Sequence, residues 1–158
     1  MTRTGVGYDS HRFAPGRRLV LGGITIPHTE GLAGHSDADV VAHALTDAIL
    51  GAAGAGSIGD LFPDADPRWK DADSMVLLQE AYAAVRQRGY TFVQCDITVI
   101  AEAPKIAAYS APMAARLAEV LGVVPGDVNV KGKSNEGMGF IGRREGMAAI
   151  AVATLERR

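Results

Sequence analysis

The chain has 158 residues, with 16 basic against 18 acidic side chains and 47% apolar residues. That balance excludes a disordered chain and a generally cationic nucleic-acid binder. The lone cysteine, Cys95, excludes an intrachain disulfide framework and a cysteine-rich zinc module. A domain of this length has a radius of gyration of about 15 Å and buries roughly 70% of its unfolded surface, so its core needs no staple. No apolar signal core follows Met1, and no run reaches the roughly 18 apolar residues of a spanning helix. A single soluble cytoplasmic domain over residues 1–158 is expected, with no nucleic-acid or membrane partner.

Thr2 to His11 reads as a strand entering a turn at Pro15-Gly16. Leu19 to Leu21 and Ile24 to Ile26 flank Gly22-Gly23 as a hairpin. Gly31 to Ser36 reads as loop, and Ser36 or Asp37 is expected to cap a helix. Val40, Val41, Ala44, Leu45, Ala48 and Ile49 give that helix its apolar face, and Gly51, Gly54 and Gly56 mark its end. The Gly-, Pro- and Asp-rich stretch from Gly56 to Asp73 has the length of a functional loop. A second helix is expected from Ser74 to Arg88. A strand follows from Thr91 to Ile100, with Val93, Cys95, Ile97 and Val99 on one face. A third helix from Ser110 to Leu121 and strands at Asp127–Lys131 and Gly146–Leu155 complete an α+β pattern with one sheet.

Five clusters carry chemistry. Asp9 and His11 are two apart on a strand, so they share a side and can converge on a divalent ion. A turn cap beside a surface histidine fits the same residues. His35-Ser36-Asp37-Ala38-Asp39 leads to His43 and Asp47. Asp39, His43 and Asp47 line up along the helix, so a carboxylate one turn away can orient the His43 ring. An ordinary charged helix face fits that spacing too. His28, beside Pro27, reads as surface. Ser57 to Asp66 offers backbone N–H groups near Gly59 for an anion and Asp64 for polyol hydroxyls, or else a plain Asp-Pro turn system. Ala101-Glu102-Ala103-Pro104-Lys105 pairs small residues, which let a flat ring approach backbone, with a cation for phosphate. Lys131 to Arg144 combines Gly, hydroxyl, amide and basic groups as a phosphate cradle would, and Glu136 adds a hard oxygen ligand. It is no Walker A loop, and a basic surface turn remains its alternative.

Taken in order, these pieces resemble the 2-C-methyl-D-erythritol 2,4-cyclodiphosphate synthase family nearly end to end. The resemblance rests on Gly5-x-Gly7-Tyr8-Asp9-x-His11, Ile26-Pro27, His35-Ser36-Asp37-Ala38-Asp39-Val40 and His43-Ala44-Leu45-Thr46-Asp47-Ala48. It rests equally on Ile58-Gly59 with Leu61-Phe62-Pro63-Asp64, on Ala103-Pro104-Lys105 and on Glu136-Gly137-x-Gly139-Phe140-x-Gly142-Arg143.

The resemblance implies a homotrimer of α+β subunits with active sites between neighbours and a central cavity. It implies Zn²⁺ on Asp9, His11 and His43, and Mg²⁺ or Mn²⁺ on Glu136 and the substrate diphosphate. The substrate it implies is 4-diphosphocytidyl-2-C-methyl-D-erythritol 2-phosphate. Its 2-phosphate attacks the β-phosphorus, CMP leaves and a cyclic diphosphate forms, a phosphorus–oxygen lyase reaction of isoprenoid biosynthesis. His35 and Ser134 match transition-state-stabilising positions. Asp9, His11, His35, Ser36, Ser57, Ile58, Gly59, Phe62, Pro63, Asp64, Ala65 and Asp66 match positions near the sugar and phosphates. Ala101, Glu102, Ala103, Pro104, Lys105, Ile106, Ala107, Lys133, Ser134, Asn135 and Glu136 match positions near cytosine and its diphosphate. Phe140 and Arg143 match positions at the inner cavity, where an isoprenoid diphosphate is the implied occupant, or at the substrate's phosphate end. Ser57 stands where many members carry Asp, and Lys133-Ser134-Asn135 replaces a commonly Thr-rich run. The cytidylyltransferase domain fused to some members is not expected in 158 residues.

Overall fold

The computed structural model describes residues 1–157. Strand β1 (Thr2–Ala14) carries a period-two pattern: Gly5, Gly7, Asp9 and His11 point inward, while Thr4, Val6 and Tyr8 point outward. The hairpin is β2 (Leu19–Leu21) with β3 (Ile24–Ile26), and a short β4 (Gly31–Leu32) pairs with the end of β1. Helix α1 (Val40–Ala53) follows, then a single turn α2 (Ile58–Leu61) and helix α3 (Ser74–Gln87). The chain continues as β5 (Tyr90–Ile100), α4 (Ser110–Leu121), β6 (Val128–Lys133), the single turn α5 (Gly139–Gly142) and β7 (Gly146–Arg157). Five strands form one sheet in the order β4-β1-β7-β5-β6, with β5 and β6 parallel and the other pairs antiparallel. The expected α+β class with a mixed sheet packed on helices is what the chain adopts.

One face of this sheet takes the helices. Ala44, Leu45, Ala48 and Ile49 of α1 are buried, as are Leu78, Val85, Leu117 and Leu121 of α3 and α4, and Ile97, Val99, Ala151 and Ala153 of the strands. The contact between β1 and α1 is unusually close. A Cβ built on Gly7 would lie 1.9 Å from the Ala44 carbonyl oxygen, and one on Gly5 would lie 2.1 Å from that of Ala48. Strand and helix meet backbone to backbone, which only glycine on one side and alanine on the other permit. This sets the distance between the inward side chains of β1 and the first turns of α1.

Asp39 caps α1, correcting the expectation of Ser36 or Asp37. Its carboxylate accepts the N–H of Ala42 at 3.0 Å and those of Gly22 and Gly23 at 2.8 Å. Ala38 adopts a left-handed φ of 58°, and this turns Asp37 away from the helix start. Asp39 is fully buried, and burial pushes its carboxyl up to about 6. The three amides hold the charged form against that pressure. The carboxylate thereby pins the hairpin to the helix N-terminus.

Other differences are local. A bulge between Phe92 and Gln94 shifts the β5 register, so Phe92 is 3% exposed and Val93, expected inward, is 39% exposed. The expected long loop between α1 and α3 contains α2 and a tight turn at Pro67–Trp69 capped by Asp66. Burial pushes the Cys95 thiol up to about 12, so it serves as a small core residue. Among the described residues, no helix is long and apolar enough to cross a membrane.

Gly7→Ala is expected to cost about 1–3 kcal/mol or more, because strand and helix backbones must part. Urea denaturation measures it. A loss below about 0.5 kcal/mol, the range of an ordinary surface change, would show that the contact yields freely.

Candidate functional site

The inward face of β1 continues past the glycines to Asp9 and His11, and His43 precedes Ala44 on α1. The close strand–helix contact therefore delivers three side chains to one point. Asp9 Oδ2 lies 2.8 Å from His11 Nε2 and 3.1 Å from His43 Nδ1, and the two nitrogens are 3.3 Å apart. All three groups are partly buried, and among the described residues they are the one group of three or more His, Cys, Asp or Glu side chains whose ligand atoms converge closely enough for a metal ion. The other nitrogen of His11 lies 2.8 Å from the Ala33 carbonyl oxygen. Only a protonated Nδ1 can donate there, so it is Nε2 that gives up its proton, shared with Asp9, and turns a lone pair to the cluster when a cation binds. Two imidazole nitrogens and one carboxylate oxygen, converging from one side, form the donor set of an open divalent-metal centre.

The electrostatics agree with a site built for positive charge. Burial works to raise the Asp9 carboxyl, but hydrogen bonds from His11 and His43 outweigh it and hold the group below the usual carboxylate range. Burial works to lower the His11 imidazole. The Asp9 carboxylate, by hydrogen bond and charge, and then the Ala33 carbonyl override it and hold the ring above its ordinary value.

The cluster opens into a cavity of about 320 Å³ walled by Asp9, His11, His35, Ser36 and His43 on one side and Ile58, Gly59, Phe62, Asp64, Trp69 and Leu77 on the other. Asp47 accepts the Ile58 N–H at 2.7 Å and so ties α2 to α1. His35 Nε2 and Trp69 Nε1 are buried without a hydrogen-bond partner. A buried unpaired polar group is costly, so an atom of this kind in a cavity wall suits a ligand. Of the expected sugar and phosphate positions, Ser57, Pro63, Ala65 and Asp66 do not line this cavity. The Ser57 amide and hydroxyl both donate to Asp60, and Asp66 pairs with Arg68.

A second cavity, of about 280 Å³, gathers Ala101, Glu102, Pro104, Lys105, Ile106, Ala107, Gly132, Lys133 and Ser134. It lies where β5 and β6 end side by side, with Ile100 paired to Lys133. Ala103, joined to Pro104 by a cis peptide, faces a neighbouring pocket with Phe13, His28 and Arg144. Glu102 Oε1 accepts the N–H of Asn135 at 2.8 Å and that of Gly137 at 3.4 Å. The carboxylate thus braces the loop that presents Glu136, whose backbone is left-handed at φ 54°. Glu136 is exposed, with Ser134 Oγ 3.4 Å from its carboxylate.

The two cavities share no wall residue, and neither Ser134 nor Glu136 joins the Asp9–His11–His43 cluster within this chain. A third cavity, of about 580 Å³, contains Phe13, Phe140, Arg12 and Arg144 in its wall. Arg143 pairs with Glu145 at 3.0 Å, and both side chains are exposed.

The helical line of Asp39, His43 and Asp47 does not orient His43. Asp39 is committed to the hairpin and Asp47 to Ile58, as above. The ring is held from behind by Ser74 and Ser36, whose hydroxyls lie 2.8 and 3.1 Å from Nε2. Ser74 escaped the sequence reading because it lies 31 residues from His43 and belongs to another helix. No spacing rule links them.

Fold and site define a small α+β protein with the donor set for a divalent metal at a strand–helix contact. The sequence profile of the YgbB family matches residues 2–156, and the chain belongs to that family. It is 55% identical over 155 residues to the 2-C-methyl-D-erythritol 2,4-cyclodiphosphate synthase of Bordetella petrii, covering 98% of this chain and 96% of that one. It is 59% identical over 154 residues to the bifunctional enzyme IspD/IspF of Anaeromyxobacter dehalogenans. There the match covers 98% of this chain and 40% of the relative, so the chain spans about two fifths of the length of such bifunctional relatives. Among solved structures, the bifunctional IspDF of Campylobacter jejuni superposes with a TM-score of 0.96 at 46% identity, covering all of this chain and 43% of that one. The CDP complex of Plasmodium falciparum IspF superposes at 0.87 with 32% identity, covering 99% of this chain and 97% of that one.

Replacing His43 by alanine leaves two ligands of three. Zinc affinity is expected to fall by more than about 100-fold, beyond the 10–100-fold typical of losing an outer partner. Metal analysis after dialysis against a chelator reads it. Full zinc occupancy in that variant would remove His43 from the ligand set.

Proposed function

We propose that this chain has the activity of its cyclodiphosphate synthase relatives. It would convert 4-diphosphocytidyl-2-C-methyl-D-erythritol 2-phosphate into 2-C-methyl-D-erythritol 2,4-cyclodiphosphate and CMP. An oxygen of the 2-phosphate forms a bond to the β-phosphorus, the bridge to the α-phosphate breaks, and CMP departs with the bridging oxygen and its electron pair. The observation that carries this reading is the Asp9–His11–His43 cluster in one cavity with an unpaired His35 nitrogen.

Asp9, His11 and His43 would hold the cation, and zinc suits two imidazoles and a carboxylate with an open position. When bound, it supplies Lewis-acid polarisation of a phosphoryl oxygen. His35 Nε2, unpaired in the same wall, would donate to a phosphoryl oxygen as negative charge shifts. Ile58, Gly59, Phe62 and Asp64 would hold the polyol, with Asp64 accepting from its hydroxyls. Ala101 to Ala107 would receive the cytosine, and Lys133 and Ser134 its phosphates. Glu136 would hold Mg²⁺ or Mn²⁺, which when bound would offset the charge of the diphosphate. No protein nucleophile is required, because the attacking group belongs to the substrate. The chain's task is to fold a flexible, highly anionic molecule so that its ends meet, an orientation effect that reaches about 7–11 kcal/mol.

Two cavities without a shared wall make sense if the site is completed by a second copy. The sheet supplies a surface for it. Its helix-free face exposes Val6 (67%), Tyr8 (55%), Ile150 (38%) and Val152 (38%) side by side on β1 and β7. An apolar sheet face of this kind is the usual mark of an interface. We therefore read residues 1–158 as one synthase domain of a cytoplasmic homotrimer. Its cavity at Phe140 would take an isoprenoid diphosphate.

Incubating the chain with the linear substrate, Zn²⁺ and Mg²⁺ is expected to yield CMP and a cyclic diphosphate in equal amounts, read by phosphorus NMR. CMP beside an uncyclised diphosphate would mean hydrolysis by water and overturn the assignment. Light scattering is expected to give three subunits, and a monomer at micromolar concentration would remove the shared site.

A further inference from the structure

We infer that Ser74 and Asp37 are positioning residues for His43, setting which of its nitrogens faces the metal. The inference rests on the reading of Asp9, His11 and His43 as a metal site. His43 turns Nδ1 toward Asp9 and Nε2 toward Ser74 Oγ. Ser74 is fully buried at the first position of α3. Its hydroxyl has one hydrogen, and that hydrogen is engaged: Ser74 Oγ donates to Asp37 Oδ1 in a short contact. A carboxylate has no hydrogen to return, so Ser74 offers His43 only a lone pair. Ser36 Oγ, at 3.1 Å, is the farther hydroxyl from the same nitrogen. When a cation displaces the Nδ1 proton that meets Asp9, Nε2 keeps the ring proton and donates it to Ser74, which leaves the Nδ1 lone pair for the cation. The carboxylate behind the serine draws the ring proton outward and makes Nδ1 a better donor to metal.

Asp37 is itself fixed. Its Oδ2 accepts the Ser74 N–H at 3.0 Å and its Oδ1 accepts the Asp39 N–H at 3.1 Å. Its own N–H donates to the Ala72 carbonyl at 3.1 Å, and the His35 carbonyl accepts the Asp71 N–H at 2.8 Å. Residues 35–37 and 71–72 thus run together. The chain from Asp37 through Ser74 to His43 joins the end of the loop over the cavity to the metal ligand.

The test uses the intact chain. Nitrogen NMR of the zinc-loaded protein is expected to show His43 bound through Nδ1 with a slowly exchanging proton on Nε2. Binding through Nε2 overturns the inference without any substitution. Ser74→Ala and Asp37→Asn are each expected to weaken zinc binding by about 10–100-fold in chelator competition. In the metal-free variants, His43 is expected to populate both tautomers. A merely structural role would lower the melting temperature and leave the zinc constant and the tautomer unmoved, and that result overturns the inference. Should Ser74→Ala fail to fold, Asp37→Asn and the wild-type spectrum decide. A wild-type chain that takes no zinc sinks the metal-site reading as well. A wild type that takes zinc, with folded variants equally tight, sinks only the positioning roles.

Discussion

The site depends on how closely one strand lies on one helix. Gly5 and Gly7 let β1 rest on the backbone of α1 at Ala44 and Ala48, and the next two inward residues of the strand are Asp9 and His11. Helical geometry places His43 beside Ala44. With any larger residue at the glycine positions the layers would stand further apart, and the three ligand atoms would no longer lie about 3 Å from one another. The same spacing creates the partial burial that gives the cluster its electrostatic character. A carboxylate left in water would not hold its neighbour's proton as Asp9 holds that of His11.

Residues 37–39 form a second organising element. Two carboxylates two positions apart are sent to opposite tasks by the left-handed turn at Ala38. Asp39 goes inward and ties the Gly22-Gly23 turn to the start of α1. Asp37 goes sideways to the start of α3. Hairpin, first helix and second helix are thereby joined at one point next to the metal ligands. The loop between α1 and α3 is anchored at both ends by similar means, through Asp47 at Ile58 and through residues 35–37 at its far end. Its short elements give the cavity a firm wall.

Much of this could be read from the chain because the signals are local. Period two puts Asp9 with His11, period 3.6 gives α1 its buried face, and the Gly22-Gly23 hairpin follows from turn chemistry. What failed was also local reasoning, applied where tertiary contacts decide. Asp39 and Asp47 have the spacing to serve His43, yet both find backbone amides that lie far away in sequence. Val93 fits the alternation of β5 until pairing with β7 inserts a bulge. The separation of Ser134 and Glu136 from the metal cluster could not be read from order along the chain. It depends on strand order: β1 carries the cluster, the second cavity sits at the ends of β5 and β6, and β7 stands between them.

The chain has one tryptophan, and the fold puts it in the wall of the metal cavity. Trp69 meets the edge of Phe62 at 4.8 Å between ring centroids, and its indole nitrogen is sealed from solvent. Emission from that indole therefore comes from a single known place in the molecule. A phosphate, a polyol or a cation entering beside it changes the polarity around the excited ring, so the unlabelled protein carries its own optical gauge of occupancy.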